Sequence, residues 1–126
     1  MARDLPAGGA RALTAIRLCR ADAIAEGEAR GFVHGSGVAR RAVVVLRHRG
    51  RLAAYVNSCP HQGTPLELAP DRFFTATGDH LICHTHGALF RPEDGVCVAG
   101  PCAGQGLAAA PVALRDGAIW LEDGEG

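Results

Sequence analysis

The stretch NSCPHQGTPLE, residues 57–67, decides how the rest of the chain folds, because it combines turn-forming residues with two potential metal ligands. Cys59 is followed two residues later by His61. A second stretch, LICHTHGALF at residues 81–90, repeats the combination in the same order. The two stretches therefore predict a pair of loops built around one shared centre.

In the second stretch, Cys83 is followed three residues later by His86. Thiolate sulfur and imidazole nitrogen are ligands for zinc, iron and iron–sulfur clusters. A structural zinc site usually takes two ligands from one short Cys-x-x-Cys turn, and neither stretch has two cysteines. The pattern favours two metals side by side, with both cysteines on one iron and both histidines on the other, as in a [2Fe–2S] centre with two histidine ligands. A zinc site with the same four ligands stays open as an alternative.

CPH at residues 59–61 and CHTH at residues 83–86 resemble the two ligand boxes of the Rieske family, Cys-x-His and Cys-x-x-His. The surrounding SCPHQGTPL, the HGALF after the second box and the later AGPC are also similar to Rieske loops. The resemblance extends over roughly residues 13–122, nearly the whole chain. Because the boxes occur as a pair, the match is specific.

The resemblance implies a role for each residue of the two boxes. Cys59 and Cys83 would bind the buried iron of a Rieske-type [2Fe–2S] cluster. His61 and His86 would bind the outer iron, with their far ring nitrogens towards solvent. The resemblance thus predicts these four residues as the cofactor-binding and metal-binding set, with no catalytic residues beside them.

The rest of the sequence is typical of an all-β domain. Short β-compatible runs alternate with turn residues, and no long amphipathic helix is evident. Single strands are predicted at 13–19 and 29–34, and hairpins at 41–57, 72–83, 87–98 and 111–122. The resemblance implies one Rieske domain over residues 1–126, with three stacked antiparallel sheets and an inserted cluster-binding subdomain at 57–106. Residues 1–10 are predicted to be a disordered lead-in.

Two departures from the family bear on the reduction potential. Rieske members of respiratory and photosynthetic complexes carry an extra cysteine in each box, linked as a disulfide, and these boxes have none. Those members also place a serine and a tyrosine after the second box, where this chain has Ala88 and Phe90. Hydrogen bonds to the sulfurs raise the potential. We therefore expect a value towards the low end of the range of about −150 to +300 mV, as in soluble Rieske ferredoxins.

The cysteines and histidines outside the ligand set have less distinctive patterns. Cys97 and Cys102 flank a third loop, at Gly100-Pro101, which by resemblance covers the cluster. The pair has two interpretations, a disulfide or redox-active pair and two small buried apolar residues. Cys19 is predicted to be in the core. His84 is predicted to be a non-ligand, exposed at the tip that faces a partner.

Composition excludes several functions. The 13 basic and 13 acidic residues cancel, so neither nucleic acid nor an anionic membrane is expected as a partner. No apolar run could span a membrane and no secretion signal is visible, so a cytoplasmic location is expected. No glycine-rich dinucleotide motif and no further metal site for catalysis are found, which indicates no enzyme activity.

The preferred hypothesis is a Rieske ferredoxin that carries single electrons from a reductase to an oxygenase or related redox enzyme. One alternative is a small subunit of a larger reductase, resembling the small subunit of assimilatory nitrite reductase. Another is a structural module whose zinc or cluster only stabilises the loops.

Overall fold

The computed structural model describes residues 15–35, 40–60, 63–67, 69–85 and 87–122. Within these ranges the chain forms nine β-strands and one short 3-10 turn, Ala21–Ala23. The strands are β1 Ala15–Arg20, β2 Ala29–His34, β3 Arg41–His48, β4 Arg51–Val56, β5 Leu81–Cys83, β6 Ala88–Phe90, β7 Cys97–Ala99, β8 Val112–Arg115 and β9 Ala118–Glu122. The all-β class predicted from the sequence is confirmed. The predicted lead-in at 1–10 lies outside the described residues.

The chain divides into two compact units, one made of Met1–Ala23 with Ala110–Gly126 and the other of Ile24–Ala109. In the first unit, β1, β9 and β8 form an antiparallel sheet in that order. The hairpin predicted at 111–122 is confirmed as β8 and β9, which are joined by a turn at Asp116 and Gly117 with φ of 56° and 73°. Two successive positive φ angles are the mark of a type I′ hairpin, for which Asp-Gly is a preferred sequence.

The second unit contains the other two sheets, and the first of them has the order β2-β3-β4. Its β3–β4 hairpin turns at Arg49 and Gly50, both with positive φ. The backbone N–H groups of these two residues donate to the carboxylate of Glu26, at 2.6 and 2.8 Å. These two bonds hold the pKa of Glu26 below its usual value, and the bond from Gly50 makes the larger contribution. The predicted hairpin is therefore fixed by a carboxylate from outside it.

The other sheet of this unit has the order β5-β6-β7, with three residues in each strand. The hairpin predicted at 87–98 is confirmed as β6 and β7. The hairpin predicted at 72–83 is reduced to an isolated bridge between Phe74 and Leu81. The two sides are joined only locally, by bonds from the Thr75 N–H to the His80 carbonyl and from the Ile82 N–H to the Phe73 carbonyl, both at 2.9 Å. Just before them, Asp71, at φ 61°, turns the chain and accepts a hydrogen bond from the Gly31 N–H at 2.9 Å.

A single apolar cluster forms the core of the second unit. It includes side chains from β2 to β7 and from the segments between them, among them the cysteines of both predicted ligand boxes. Its buried members are Ala29, Val44, Leu46, Tyr55, Cys59, Leu66, Phe73, Leu81, Cys83, Ala88, Phe90, Cys97, Cys102 and Leu107. The predicted centre is thus built into the main core. In the part of the chain described, no helix is long and apolar enough to cross a membrane.

Tyr55 of β4 holds the β6–β7 connection against this core. Its hydroxyl donates to the carbonyl of Pro92 at 2.7 Å. Burial raises the pKa of Tyr55 to about 12, with smaller contributions from Asp94 and Glu93. A Cβ on Gly95 would lie 2.8 Å from the Tyr55 ring, so glycine is required there. The contact fixes the hairpin that follows the second box.

Candidate metal centre

The first box lies on a tight turn that directly follows β4. The backbone N–H of Cys59 donates to the carbonyl of Thr64 at 2.8 Å, and the N–H of Gly63 donates to the carbonyl of Cys59 at 2.7 Å. Gly63 has a φ of 76°, a conformation that glycine adopts without strain. Cys59 itself is 0% exposed. The turn therefore directs a thiol into the core, while Gly63 at its far end is exposed.

The second box makes the same turn between two strands. β5 ends at Cys83, which pairs across the hairpin with Ala88, the first residue of β6. The N–H of Gly87 donates to the carbonyl of Cys83 at 2.7 Å, and the φ of Gly87 is 75°. Cys83 is also 0% exposed. In each box a cysteine carbonyl thus accepts from a left-handed glycine four residues later, and each turn buries one thiol.

Asn57 closes the base of the first loop. Its side-chain oxygen accepts from the backbone N–H of Leu66, and its side-chain nitrogen donates to Glu67, both at 2.9 Å. Its own backbone N–H donates to the carbonyl of Ala42 on β3, also at 2.9 Å. One side chain therefore joins the start of the loop to its end and ties both to the central strand.

His84 links the two loops. Its backbone N–H donates to the carbonyl of Leu66 at 2.9 Å, and its ring Nδ1 lies 3.2 Å from the same oxygen. Because a carbonyl only accepts, this contact places the ring proton on Nδ1. The prediction that His84 is exposed at the tip is wrong, because this linkage leaves it half-buried. Its role in the structure is to hold the second loop against the first.

The third loop packs directly against the residue that follows the second box. A Cβ built on Gly100 would lie 2.8 Å from Cα of Ala88 and 3.2 Å from its Cβ. The φ of Gly100 is 101°, so both space and backbone require glycine. Ala88 and Phe90, where other members have hydroxyls, are both 0% exposed. Their side chains offer no donor to a buried centre.

Three of the buried cysteines lie close together beneath this loop. The sulfur of Cys102 lies 2.8 Å from that of Cys97 and is also in hydrogen-bond contact with Cys59. Burial, followed by contact with Cys97 and then Cys59, raises the pKa of Cys102 to about 12, so it is a thiol at neutral pH. Cys97 and Cys102 form no disulfide and belong to the apolar core. The burial of Cys97 and Cys102 agrees with the interpretation as small buried residues, and the short distance between their sulfurs agrees with the interpretation as a redox-active pair. Cys19 is buried as predicted.

The residues present fit an iron–sulfur cluster. Two loops, each closed by a bond from a glycine N–H to the cysteine carbonyl, bury two thiols in one core, and thiolate sulfur is the ligand that iron–sulfur clusters use. Thr64 adds a buried hydroxyl with no hydrogen-bond partner within the described ranges. The predicted ligands His61 and His86 lie outside the described residues. Among those that are described, no group of three or more His, Cys, Asp or Glu residues is arranged to hold a metal ion.

Sequence reasoning missed the residues that brace the loops. Asn57 and Glu67 are the first and last residues of the first stretch, and no hydrogen bond between their side chains was predicted. The available signal was an asparagine at the end of a strand, since Asn side chains commonly bond nearby backbone in turns. The contact between His84 and Leu66 joins positions 18 residues apart, and no local pattern indicates it.

Comparison with known proteins assigns the chain to a family. Residues 14–114 match the model of the Rieske [2Fe-2S] domain. Chlorophyllide a oxygenase, chloroplastic, of Chlamydomonas reinhardtii is 33% identical over 88 residues, which are 67% of this chain and 13% of that protein. The chain thus spans only a small part of this curated relative.

Solved structures share the fold. The ferredoxin of carbazole 1,9a-dioxygenase from Nocardioides aromaticivorans IC177 matches with a TM-score of 0.61 and 22% identity, over 86% of this chain and 96% of that one. The reduced complex between oxygenase and ferredoxin in carbazole 1,9a-dioxygenase matches with a TM-score of 0.68 and 24% identity, over 89% of this chain and 29% of the matched chain. With a family model that covers most of its length and the two boxes in place, the chain belongs to the Rieske [2Fe–2S] domain family.

Proposed function

We propose that this protein is a one-electron carrier that holds a Rieske-type [2Fe–2S] cluster. The observation that carries the proposal is the pair of matching turns, which bury Cys59 and Cys83 in one core within a chain of the Rieske family. A bound cluster would supply reversible one-electron chemistry. The protein's own contribution is to hold the ligands and to exclude water from the thiolate side.

The proposed ligand set consists of two cysteines and two histidines. Cys59 and Cys83 bind the inner iron, because both thiols are fully buried. His61 and His86 bind the outer iron, an assignment supported by their places in the two boxes. Each histidine follows its cysteine in the sequence, two residues later in the first box and three residues later in the second. The domain proposal is one Rieske domain over residues 1–126, with the cluster-binding subdomain at 57–106.

We further propose a low reduction potential. Hydrogen bonds to cluster sulfurs favour the more negative, reduced state and raise the potential. Ala88 and Phe90 are buried beside the second box and carry no hydroxyl. Neither box has a second cysteine for a disulfide between the loops. These absences from the sequence support a value near or below about −100 mV, within the lower part of the Rieske range.

The proposed partners are a reductase as electron donor and an oxygenase or related redox enzyme as acceptor. The identity with an oxygenase over 88 residues supports the acceptor, and so does the fold shared with a ferredoxin of a dioxygenase. The chain would have no substrate site of its own and would act in the cytoplasm.

A small subunit of a larger reductase is the second candidate. Val33, Val96 and Val98 of the second unit favour it, because these apolar side chains are 59%, 38% and 46% exposed. A stable interface buries roughly 800 Å² on each partner, so this candidate requires that a partner cover more than these three side chains.

An EPR-monitored redox titration of anaerobically purified protein tests the function. We expect one reversible one-electron transition near or below about −100 mV, with the low average g of a histidine-ligated cluster. Oxidation of the reduced protein by an oxygenase preparation should follow. A colourless protein that contains zinc, or a cluster that never cycles, would leave only the structural module. Stable co-purification with a reductase would favour the second candidate.

A further inference from the structure

The two cysteines of the third loop lie almost at bonding distance. The sulfurs of Cys97 and Cys102 are 2.8 Å apart, and the side chains are 2% and 0% exposed. A disulfide has an S–S length of about 2.05 Å, so the two sulfurs would need to approach by roughly 0.8 Å. Neither of the two is assigned as a cluster ligand. This pair of thiols therefore has no role in the function proposed above.

The backbone around the pair already has a closed arrangement. The N–H of Cys97 donates to the carbonyl of Gln105 at 2.7 Å, and the N–H of Gly104 donates to the carbonyl of Cys97 at 3.1 Å. The N–H of Gln105 also donates to the carbonyl of Cys102 at 2.8 Å. These bonds hold the two cysteines close together whether or not the sulfurs are joined. A bond between them would close a short loop, which is the kind that gains least in stability and reopens most easily.

We propose that Cys97 and Cys102 are a redox-active dithiol, which closes to a disulfide when a low-molecular-weight disulfide oxidises it and reopens on reduction by thiols. Pro101 and Ala103, which flank Cys102, are exposed, so a local opening of this surface loop admits the oxidant. The proposal does not depend on the electron-carrier function, because it concerns thiols outside the ligand set.

The chemistry balances as a two-step thiol–disulfide exchange. The thiolate of Cys97 attacks one sulfur of the small disulfide, forms a mixed disulfide and releases one thiol. Cys102 then attacks the sulfur of Cys97, forms the internal disulfide and releases the second thiol. The two cysteines lose two electrons and two protons, which the small disulfide takes up as two thiols. The opposite order of attack gives the same products.

The dithiol also contacts the first box, since the sulfur of Cys102 lies in hydrogen-bond contact with Cys59. The one S–H of Cys102 donates to the sulfur of Cys97 in this structure. When Cys59 is a thiolate ligand, that hydrogen can turn to its sulfur instead, whereas a disulfide has no hydrogen to donate. Loss of a donor to a ligand sulfur disfavours the reduced cluster. Closure of the disulfide should therefore shift the potential to a more negative value, a consequence that rests on the proposed function.

The test is a thiol titration of the full chain with its metal in place. The protein is equilibrated anaerobically with graded mixtures of reduced and oxidised glutathione, then denatured, alkylated and mapped by peptide mass. We expect two alkylatable thiols to be lost together, with both in one disulfide that joins Cys97 to Cys102. Cys97→Ser and Cys102→Ser should each prevent the loss, whereas Cys19→Ser, in the other unit, should not.

Recovery of both thiols at every ratio would overturn the proposal, and so would a map that places the disulfide on other cysteines. The map of the unsubstituted chain suffices, so the test stands even where a variant does not fold. EPR titration of the open and closed forms then measures the effect on Cys59. A potential that is the same in both forms would overturn the coupling to the ligand. A chain that carries no cluster would defeat the proposed function and leave the thiol map unaffected.

Discussion

The two loops that present Cys59 and Cys83 make the same backbone turn, but different parts of the chain hold them in place. The second box spans a strand hairpin, in which Cys83 pairs directly with Ala88. The first box has a strand on one side only, and the Asn57 side chain bonds the start of the loop to its end. A short loop between paired strands needs only backbone bonds, whereas a longer loop depends on one side chain. The difference predicts which substitutions damage each loop.

The largest expected effect is the loss of either buried thiol. Cys59→Ala and Cys83→Ala should each lower the bound iron by more than about tenfold, since loss even of a group that supports a ligand costs 10–100-fold. Iron analysis and visible absorption of the purified variants measure this effect. Cys19→Ala, buried in β1 of the other unit, is the matched control and should retain its iron. Normal iron content in either ligand variant would contradict the ligand assignment.

The next largest effect is expected where the third loop packs closely against the second box. Gly100→Ala should lower the free energy of unfolding by about 3 kcal/mol, because a Cβ would overlap Ala88 at a positive φ. Gly104→Ala is the matched control, since it also has a positive φ but no atom within 4 Å of its Cβ. We expect a loss of about 1 kcal/mol there. Urea unfolding measures both values, and equal losses would show that the contact with Ala88 has no energetic weight.

Removal of the brace of the first loop should cost less than the clash at Gly100. Asn57→Ala deprives the Leu66 N–H of its acceptor and Glu67 of its donor, for an expected loss of about 1–3 kcal/mol. Iron should also be released faster to a chelator. Asn57→Asp keeps the acceptor for Leu66 but replaces the donor to Glu67 by a second carboxylate, so a loss that high salt reduces is expected. An alanine variant as stable as the original would mean that the first loop does not depend on this side chain.

Substitution of His84 should lower stability less, because both its ring and its backbone N–H contact the Leu66 carbonyl. His84→Ala removes the ring contact with Leu66 and keeps the backbone N–H bond to the same carbonyl. We expect a loss of about 0.5–1 kcal/mol in urea unfolding. His34→Ala, exposed on β2, is the control and should change nothing. A loss for His84→Ala as large as that for Asn57→Ala would reverse the order of importance inferred for the two loops.

The smallest expected effect is on the potential alone. Phe90→Tyr adds a hydroxyl at a buried position beside the second box. If that hydroxyl donates to a sulfur and favours the reduced state by about 1 kcal/mol, the potential rises by about 40 mV for one electron. Phe74→Tyr, a half-buried phenylalanine stacked on His48, is the control and should leave the potential unchanged. A potential that fails to rise would show that Phe90 is not near a cluster sulfur.

Local sequence patterns predicted those parts of the fold that local forces determine. The hairpins at Arg49-Gly50 and Asp116-Gly117 formed as predicted, since both turns need two positive φ angles that these residues tolerate. Strand β2 has the predicted bounds of 29–34. The predicted hairpin at 72–83 formed only in part, as a bridge between Phe74 and Leu81, and Asp71 just before it bonds to Gly31 of β2. No pattern within the hairpin carried that information.

In the candidate site, too, some features were predicted from local sequence patterns and others were not. The two cysteines were identified from the boxes, and their burial agrees with the inner-iron assignment. The contact of His84 depends on how distant segments meet, so no local pattern indicates it, whereas the contacts of Asn57 had one available signal, an asparagine at the end of a strand. The sequence allowed two interpretations of Cys97 and Cys102, and only one of them implied that their sulfurs are close. The distance between the two sulfurs became known from the side-chain positions.

The most direct test of the central claim is pulsed EPR of the reduced protein, prepared with natural and with ¹⁵N-labelled histidine. We predict a [2Fe–2S] signal with nitrogen couplings that change on labelling, because the proposed ligand set places His61 and His86 on one iron and Cys59 and Cys83 on the other. A [2Fe–2S] signal without histidine nitrogen couplings would contradict the ligand set. A protein without any signal, with zinc bound, would contradict the account of electron transfer as a whole.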